Sequence, residues 1–174
     1  QRMPLDYRIG SVHLVTEEQT GEIMDMDGKF EDFRENLRLI FHDDLKYLVE
    51  AYFKASSRMV ELGGFDFVAH LDKISMNGSL MDSTLTEQEW YNRLLWDYMS
   101  LIAKKGVMVE VNTKAYTKKG MMFPNVKYFK WLKELNIPVM VNSDAHLPQL
   151  VNDNRALAFE WLREVGIKST MRLH

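Results

Sequence analysis

The sequence predicts an α/β fold in which strands and helices alternate within one domain. Short apolar segments that end in polar residues recur along the chain, and they are typical of strands buried on both faces of a parallel sheet. Between them lie segments with apolar residues at helical spacing. Strands joined by helices form right-handed crossovers, so we expect a parallel sheet, either open or curved into a barrel. The lack of a linker or a fixed repeat in the sequence predicts a single domain over residues 1–174.

The first third of the chain contains one predicted strand and a long helical segment. The strand spans residues 7–15, and its Gly10-Ser11 step predicts a bend or a close approach of the backbone to a neighbour. A polar loop is expected at residues 16–29. Residues 30–62 carry apolar side chains on one helical face and predict two helices or one bent helix. Gly63-Gly64 supplies the stop signal of this segment.

The remaining two thirds continue the alternation. Further strands are predicted at residues 65–70, 107–111, 139–141 and 167–173, and further helices at residues 84–105, 124–135 and 155–165. Polar or basic loops are expected at residues 74–83 and 115–123, where glycine interrupts the pattern. Together these segments predict a β-α-β-α-β-α-β-α-β order.

Composition excludes several classes of function. The net charge is −3 and the sequence pI about 6.0, so bulk charge gives no reason to expect nucleic acid or an anionic membrane as a partner. The sequence has no cysteine, which removes disulfides and thiolate metal sites and fits a reducing, cytoplasmic compartment. No apolar run approaches the roughly 20 residues that span a bilayer. Ser11 and Ser143 do not lie in a nucleophile-elbow context, which argues against a serine hydrolase.

Three of the five histidines lie at or just beyond the C-terminal ends of predicted strands. They are His13, His70 and His146, and Asp144 stands two residues before the last of them. All strands of a parallel sheet end on the same side, so these side chains are expected to converge. Histidine and carboxylate donors suit zinc, manganese or iron. The chemistry they favour is metal-assisted hydrolysis, in which a bridging hydroxide attacks.

Plainer interpretations of the same residues stay open. Taken alone, Asp144 and His146 are equally compatible with a helix N-cap and an incidental surface histidine. A single histidine at a strand end is more often a structural residue than a ligand. Three histidines at equivalent ends of three strands make coincidence much less attractive, and they favour the metal site.

Basic and acidic residues near this edge are candidates for supporting roles. Lys114 and Lys118, with the neighbouring Lys119, lie on the predicted basic loop and could hold a phosphate, although a solvated loop explains them equally well. Asp72 and Glu110 stand close to the same strand ends and are candidates for supporting the ligands. The side on which Glu110 points depends on the register of its strand.

Four short motifs resemble the later motifs of the PHP (polymerase and histidinol phosphatase) superfamily, and specifically its histidinol-phosphatase branch. In order they are Gly10-Ser11-Val12-His13, Phe67-Val68-Ala69-His70-Leu71-Asp72, Glu110-Val111-Asn112-Thr113 and Asn142-Ser143-Asp144-Ala145-His146. Each motif is short, but four in this order, with strand-helix spacing between them, cover essentially the whole chain.

The resemblance implies the C-terminal part of a distorted seven-stranded (β/α) barrel with up to three divalent metal ions at its C-terminal rim. The implied reaction is the hydrolysis of L-histidinol phosphate to L-histidinol and phosphate, a step of histidine biosynthesis. By position, His13 and His70 resemble two histidines that bind one metal. Asp144 resembles an aspartate on a second metal, and His146 a histidine on the third. Lys114 falls where relatives often carry a basic residue near the phosphate.

The sequence departs from the family pattern at its beginning. The family's His-x-His motif, its next histidines and its bridging glutamate do not precede Gly10. We therefore expect a C-terminal portion that binds metal weakly and hydrolyses little. Two alternatives remain: a PHP phosphoesterase of other specificity, and a catalytically inactive PHP-like binding module.

Overall fold

Short strands and longer helices alternate through residues 4–171, the part of the chain that the computed structural model describes. The strands are β1 (Ile9–Gly10), β2 (Leu14–Thr16), β3 (Ile23–Asp25), β4 (Phe67–Val68), β5 (Met108–Asn112) and β6 (Val139–Asn142). The helices are α1 (Phe30–Ile40), α2 (Leu45–Leu62), α3 (Ser75–Met81), α4 (Glu89–Lys105), α5 (Tyr116–Lys119), α6 (Phe129–Glu134) and α7 (Arg155–Glu164).

The central sheet has four parallel strands in the order β1-β4-β5-β6. Its longest pairing joins β5 to β6 and ends with Asn112 opposite Asn142. Helices connect the successive strands, as parallel pairing requires. The predicted α/β class and the parallel sheet are therefore confirmed, and the arrangement is consistent with part of a barrel.

The long helical segment divides into two helices. Between α1 and α2, His42 and Asp43 adopt left-handed backbone angles, with φ of 56° and 61°. Asp44 then caps α2 by accepting a hydrogen bond from the Tyr47 N–H at 2.9 Å. The aromatic and aliphatic side chains of α1, α2 and α4 form a large part of the buried core.

The prediction of a single strand at residues 7–15, followed by a loop at 16–29, was wrong. The chain leaves the central sheet after β1, and β2 pairs with β3 as an antiparallel hairpin. In each of these three-residue strands only the middle side chain is buried, Val15 in β2 and Met24 in β3. Such short alternation is hard to distinguish from a loop in the sequence. The buried Glu17 carboxylate fixes the hairpin turn, since it accepts from the Thr20 N–H at 2.6 Å and from the Tyr47 hydroxyl at 2.5 Å.

Both loops predicted in the last two thirds of the chain contain helices. Residues 74–83 include α3, whose buried Asn77 and Gly78 give no apolar signal, and residues 115–123 include the short α5. The expected last strand at 167–173 does not form within its described part, residues 167–171. There the Met171 N–H donates a single hydrogen bond of 2.7 Å to the Val139 carbonyl oxygen. Residues 172 and 173 lie outside the described part of the chain.

Two predicted helices begin later than expected. A 3-10 turn at Leu85–Glu87 precedes α4, and another at Val126–Tyr128 precedes α6. Among the helices of residues 4–171, none combines the length and the apolar character needed to cross a membrane.

Candidate functional site

The C-terminal ends of the four parallel strands open into a cavity of about 370 Å³. All four predicted metal ligands line it. The full lining is Ile9, Ser11, His13, Asp27, Ala69, His70, Lys73, Glu110, Lys114, Asn142, Asp144 and His146. Residues from four separate strand ends therefore meet in one place, as expected for a parallel sheet.

His13 and His70 form the first side of the cavity. Their rings meet edge to face, with centroids 5.0 Å apart. His70 is buried, with 6% of its surface exposed, and burial together with the nearby Lys73 charge lowers the pKa of its imidazole to about 4. A neutral imidazole is the form that binds metals. His70 is thus kept in the protonation state that a ligand needs.

Asp27 and Lys73 join this side of the cavity, although neither was predicted as a site residue. The Asp27 carboxylate contacts Nδ1 of His13, and Lys73 Nζ lies 3.5 Å from the other carboxylate oxygen. Burial acts to raise the pKa of Asp27, but the His13 hydrogen bond and the Lys73 charge outweigh it and the pKa is lowered. Asp27 comes from the loop after β3 and is far in sequence from every strand end of the central sheet. Lys73 carried a weak signal, because it follows the His70 motif directly.

Asp144 and His146 form the second side, with Lys114 between them. Lys114 Nζ lies 3.1 Å from Asp144 Oδ2 and 3.1 Å from His146 Nδ1. The His146 ring is largely exposed, and its Nδ1 also lies 2.9 Å from the Asp144 backbone oxygen. An ammonium group therefore stands beside two of the predicted ligands.

Glu110 connects two asparagines at the ends of neighbouring strands. It accepts hydrogen bonds from Asn112 at 3.0 Å and from Asn142 at 2.7 Å. Asn112 Oδ1 in turn accepts from the Lys114 N–H at 3.0 Å, and Asn142 Oδ1 accepts from the Asp144 N–H at 3.4 Å. Burial raises the pKa of Glu110 to about 7, against the lowering effect of both amides. Glu110 thus supports the backbone that carries Lys114 and Asp144.

The two asparagines were missed as site residues. Their signal was local, since an asparagine at a strand end often accepts a hydrogen bond from the backbone two residues later.

Asp72 and Lys118 lie outside this cavity. Asp72 is fully buried beneath the strand ends, where one carboxylate oxygen accepts from the Asn125 N–H at 2.9 Å and burial raises its pKa to about 7. Among the described residues, no hydrogen bond joins Asp72 to a predicted ligand, so its supporting role stays a prediction. Lys118 lines an adjoining cavity of about 490 Å³. The two cavities share Asp27, Lys73, Lys114, Asp144 and His146.

The chemical types of the donor groups fit a divalent metal, but the donors do not form a complete set of ligands around one ion. Imidazole and carboxylate groups suit zinc, manganese or iron, and each side of the cavity supplies two of the predicted ligands. Within residues 4–171, however, no three His, Asp or Glu side chains are grouped so that they could hold one metal ion. The described residues therefore provide two pairs of donors rather than a complete coordination sphere.

Comparison with known proteins gives a similarity of fold. No family model and no curated protein matches the chain. The chain is similar to the crystal structure of a candidate histidinol phosphatase, hisK, from Listeria monocytogenes, with a TM-score of 0.70 and 20% sequence identity. The match covers 86% of this chain and 56% of the Listeria chain. The chain therefore has a histidinol-phosphatase-like α/β fold and spans little more than half the length of that protein.

Proposed function

We propose that this chain carries part of the active site of a metal-dependent phosphomonoesterase that hydrolyses L-histidinol phosphate to L-histidinol and phosphate. The observation that carries the proposal is the convergence of His13, His70, Asp144 and His146 on one cavity at the C-terminal ends of parallel strands. The PHP-like motifs and the fold shared with a candidate histidinol phosphatase support the substrate.

The proposed roles follow from the two sides of the cavity. His13 and His70 would hold one divalent metal, and Asp144 and His146 would bind further metal ions on the opposite side. Metal bound there would supply Lewis-acid stabilisation of the charge on a phosphoryl group. Lys114 can exchange its contacts with Asp144 and His146 for a phosphate oxygen, because an ammonium group pairs readily with a carboxylate or with a phosphate. Glu110 keeps the loops of Lys114 and Asp144 in place.

The decisive experiment compares two histidines in the same backbone conformation. His70 has φ of 53° and His42 has φ of 56°, so an asparagine, which tolerates left-handed angles, replaces either with little strain. Binding of Mn²⁺ and Zn²⁺ is measured by calorimetry for the chain and for the His70→Asn and His42→Asn variants. We expect weak binding that falls about 10-fold or more in His70→Asn and stays unchanged in His42→Asn, which lies away from the cavity.

Phosphate release from L-histidinol phosphate is measured on the same three proteins. We expect slow release that depends on added metal and is lost in His70→Asn. Equal metal affinity in the chain and His70→Asn would contradict the ligand assignment. A folded chain that neither binds metal nor releases phosphate would instead favour a non-catalytic binding module. Faster release from a phosphodiester would move the proposal to another phosphoesterase specificity.

A further inference from the structure

The loop between β3 and α1 carries a carboxylate that fixes the orientation of His13. Asp27 Oδ2 contacts His13 Nδ1, and the Ser11 hydroxyl lies 2.9 Å from His13 Nε2. A carboxylate only accepts hydrogen bonds, so in neutral His13 the proton belongs on Nδ1. The Ser11 hydroxyl can then donate to Nε2. The Nε2 lone pair then faces the hydroxyl of Ser11, another residue of the cavity lining, and a metal bound at Nε2 would displace that hydroxyl.

The position of Asp27 is itself fixed from both flanks. Asn77, a buried residue of α3, donates to the carbonyl oxygens of Met26 and Gly28 at 3.2 and 3.3 Å. The Met26 N–H donates to the His13 carbonyl oxygen at 2.9 Å. One side chain from a separate helix thus clamps the residues before and after Asp27, and the backbone of His13 holds the same loop.

The second carboxylate oxygen of Asp27 faces the Lys73 ammonium group at a distance too long for a good hydrogen bond. Asp27 Oδ1 is buried and forms no hydrogen bond among the described residues, while Lys73 Nζ lies 3.5 Å away. The Lys73 charge stabilises the ionised carboxylate next to His13. Oδ2 therefore remains available as an acceptor for Nδ1–H.

We propose that Asp27 is a positioning residue that holds His13 in the tautomer protonated on Nδ1, so that Nε2 is free to bind a divalent metal. Ligating histidines commonly donate their second ring N–H to a carboxylate, which orients the ring and raises its basicity. The metal part of this inference rests on the proposed function, whereas the tautomer is a property of the chain alone.

The tautomer is measured first, without metal. Two-bond ¹⁵N–¹H correlation spectra of the ¹⁵N-labelled chain are recorded at about pH 8, where unperturbed imidazoles are neutral. We expect His13 of the chain to be protonated on Nδ1. In Asp27→Asn the amide can both donate and accept, so the preference is lost and a signal for Nε2–H appears. Asp97→Asn makes the same chemical change on the exposed face of α4 and should leave His13 unaltered.

Metal affinity is the second readout. Titration with Mn²⁺ and with Zn²⁺ should give 10- to 100-fold weaker binding in Asp27→Asn, in the range typical for loss of a ligand's hydrogen-bond partner. Asp97→Asn should bind as the unmodified chain does.

Protonation of His13 on Nε2 in the unmodified chain would overturn the proposal, and this result needs no variant to fold. An unchanged His13 tautomer in Asp27→Asn, or equal metal affinity in the chain and Asp27→Asn, would also overturn it. A tautomer shift in a chain that binds no metal would contradict the proposed function, but it would support Asp27 as the residue that positions His13.

Discussion

The two sides of the cavity are held in different ways. On the first side the side chains themselves are fixed, because His13 pairs with Asp27 and His70 is buried. On the second side the backbone is fixed, through the hydrogen bonds of Glu110 to Asn112 and Asn142. The His146 side chain is 69% exposed there, and its polar contacts among the described residues are with Lys114 and Asp144. The first side is therefore preorganised for a ligand, and the second can adapt to one.

The largest expected effect on the free energy of unfolding comes from the burial of Asp72, two residues after His70. The pKa of this carboxyl rises from 3.8 to about 7 on folding because the group is desolvated. Between these values the folded state binds more protons than the unfolded state, so the free energy of unfolding falls as pH rises through this window. The loss is on the order of a few kcal/mol and is complete above about pH 7. Asp72→Asn should be more stable than the unmodified chain at pH 8, and this advantage should vanish near pH 4.

Urea denaturation from pH 4 to pH 8 tests this prediction. His70 contributes a trend of the opposite sign in both proteins. The difference in the free energy of unfolding between the chain and Asp72→Asn therefore isolates the contribution of Asp72. The lowered pKa of His70 adds stability that is present above about 6.5 and is lost as pH falls towards about 4. Asp97→Asn should not change the pH dependence. Parallel pH profiles for the chain and Asp72→Asn would show that Asp72 is ionised without cost in the core.

The close approach of β1 to Phe65 gives an intermediate effect. A Cβ atom at Gly10 would lie 2.8 Å from Phe65 Cγ, so the ring or β1 must shift in Gly10→Ala. Such overpacking costs about 1–3 kcal/mol and should disturb His13, three residues later. Gly28→Ala is the control, because its nearest neighbour is 3.8 Å away, and it should change stability by less than about 0.5 kcal/mol. Equal unfolding midpoints for the two variants would mean that β1 is mobile enough to absorb the methyl group.

The ion pair of the second side gives the smallest effect. Lys114 and Asp144 side chains are 41% and 32% exposed, and exposed pairs contribute about 0–1 kcal/mol. A double-mutant cycle with Lys114→Met and Asp144→Asn should give a coupling energy of about 0.5 kcal/mol that decreases in added salt. A coupling above about 2 kcal/mol would contradict the comparison, because it would make the second side as firmly built as the first.

Much of the fold was predictable because the signals are local. The helical faces of α2 and α4 are visible as periodicity, and β5 and β6 are visible as apolar segments. At Gly10-Ser11 a bend or a close backbone approach was predicted, and Gly10 lies close against Phe65. The hairpin and α3 were missed for opposite reasons. The hairpin strands are too short for a clear alternation of apolar and polar residues. Helix α3 instead buries polar residues such as Asn77, whose side chain hydrogen-bonds the backbone of another segment.

The sequence by itself determined that His13, His70, Asp144 and His146 lie near one another, because each follows a strand of a parallel sheet. The C-terminal ends of such strands share one edge of the sheet. Only the tertiary structure decided which neighbours these ligands have. Asp72 stands near His70 in the chain, yet the left-handed turn at His70 precedes a segment that buries Asp72 in the core. Asp27 is distant in sequence from every strand end of the central sheet, yet the hairpin and Asn77 bring it to His13. Hydrogen bonds between distant segments depend on how loops pack, and periodicity along the chain carries no record of that packing.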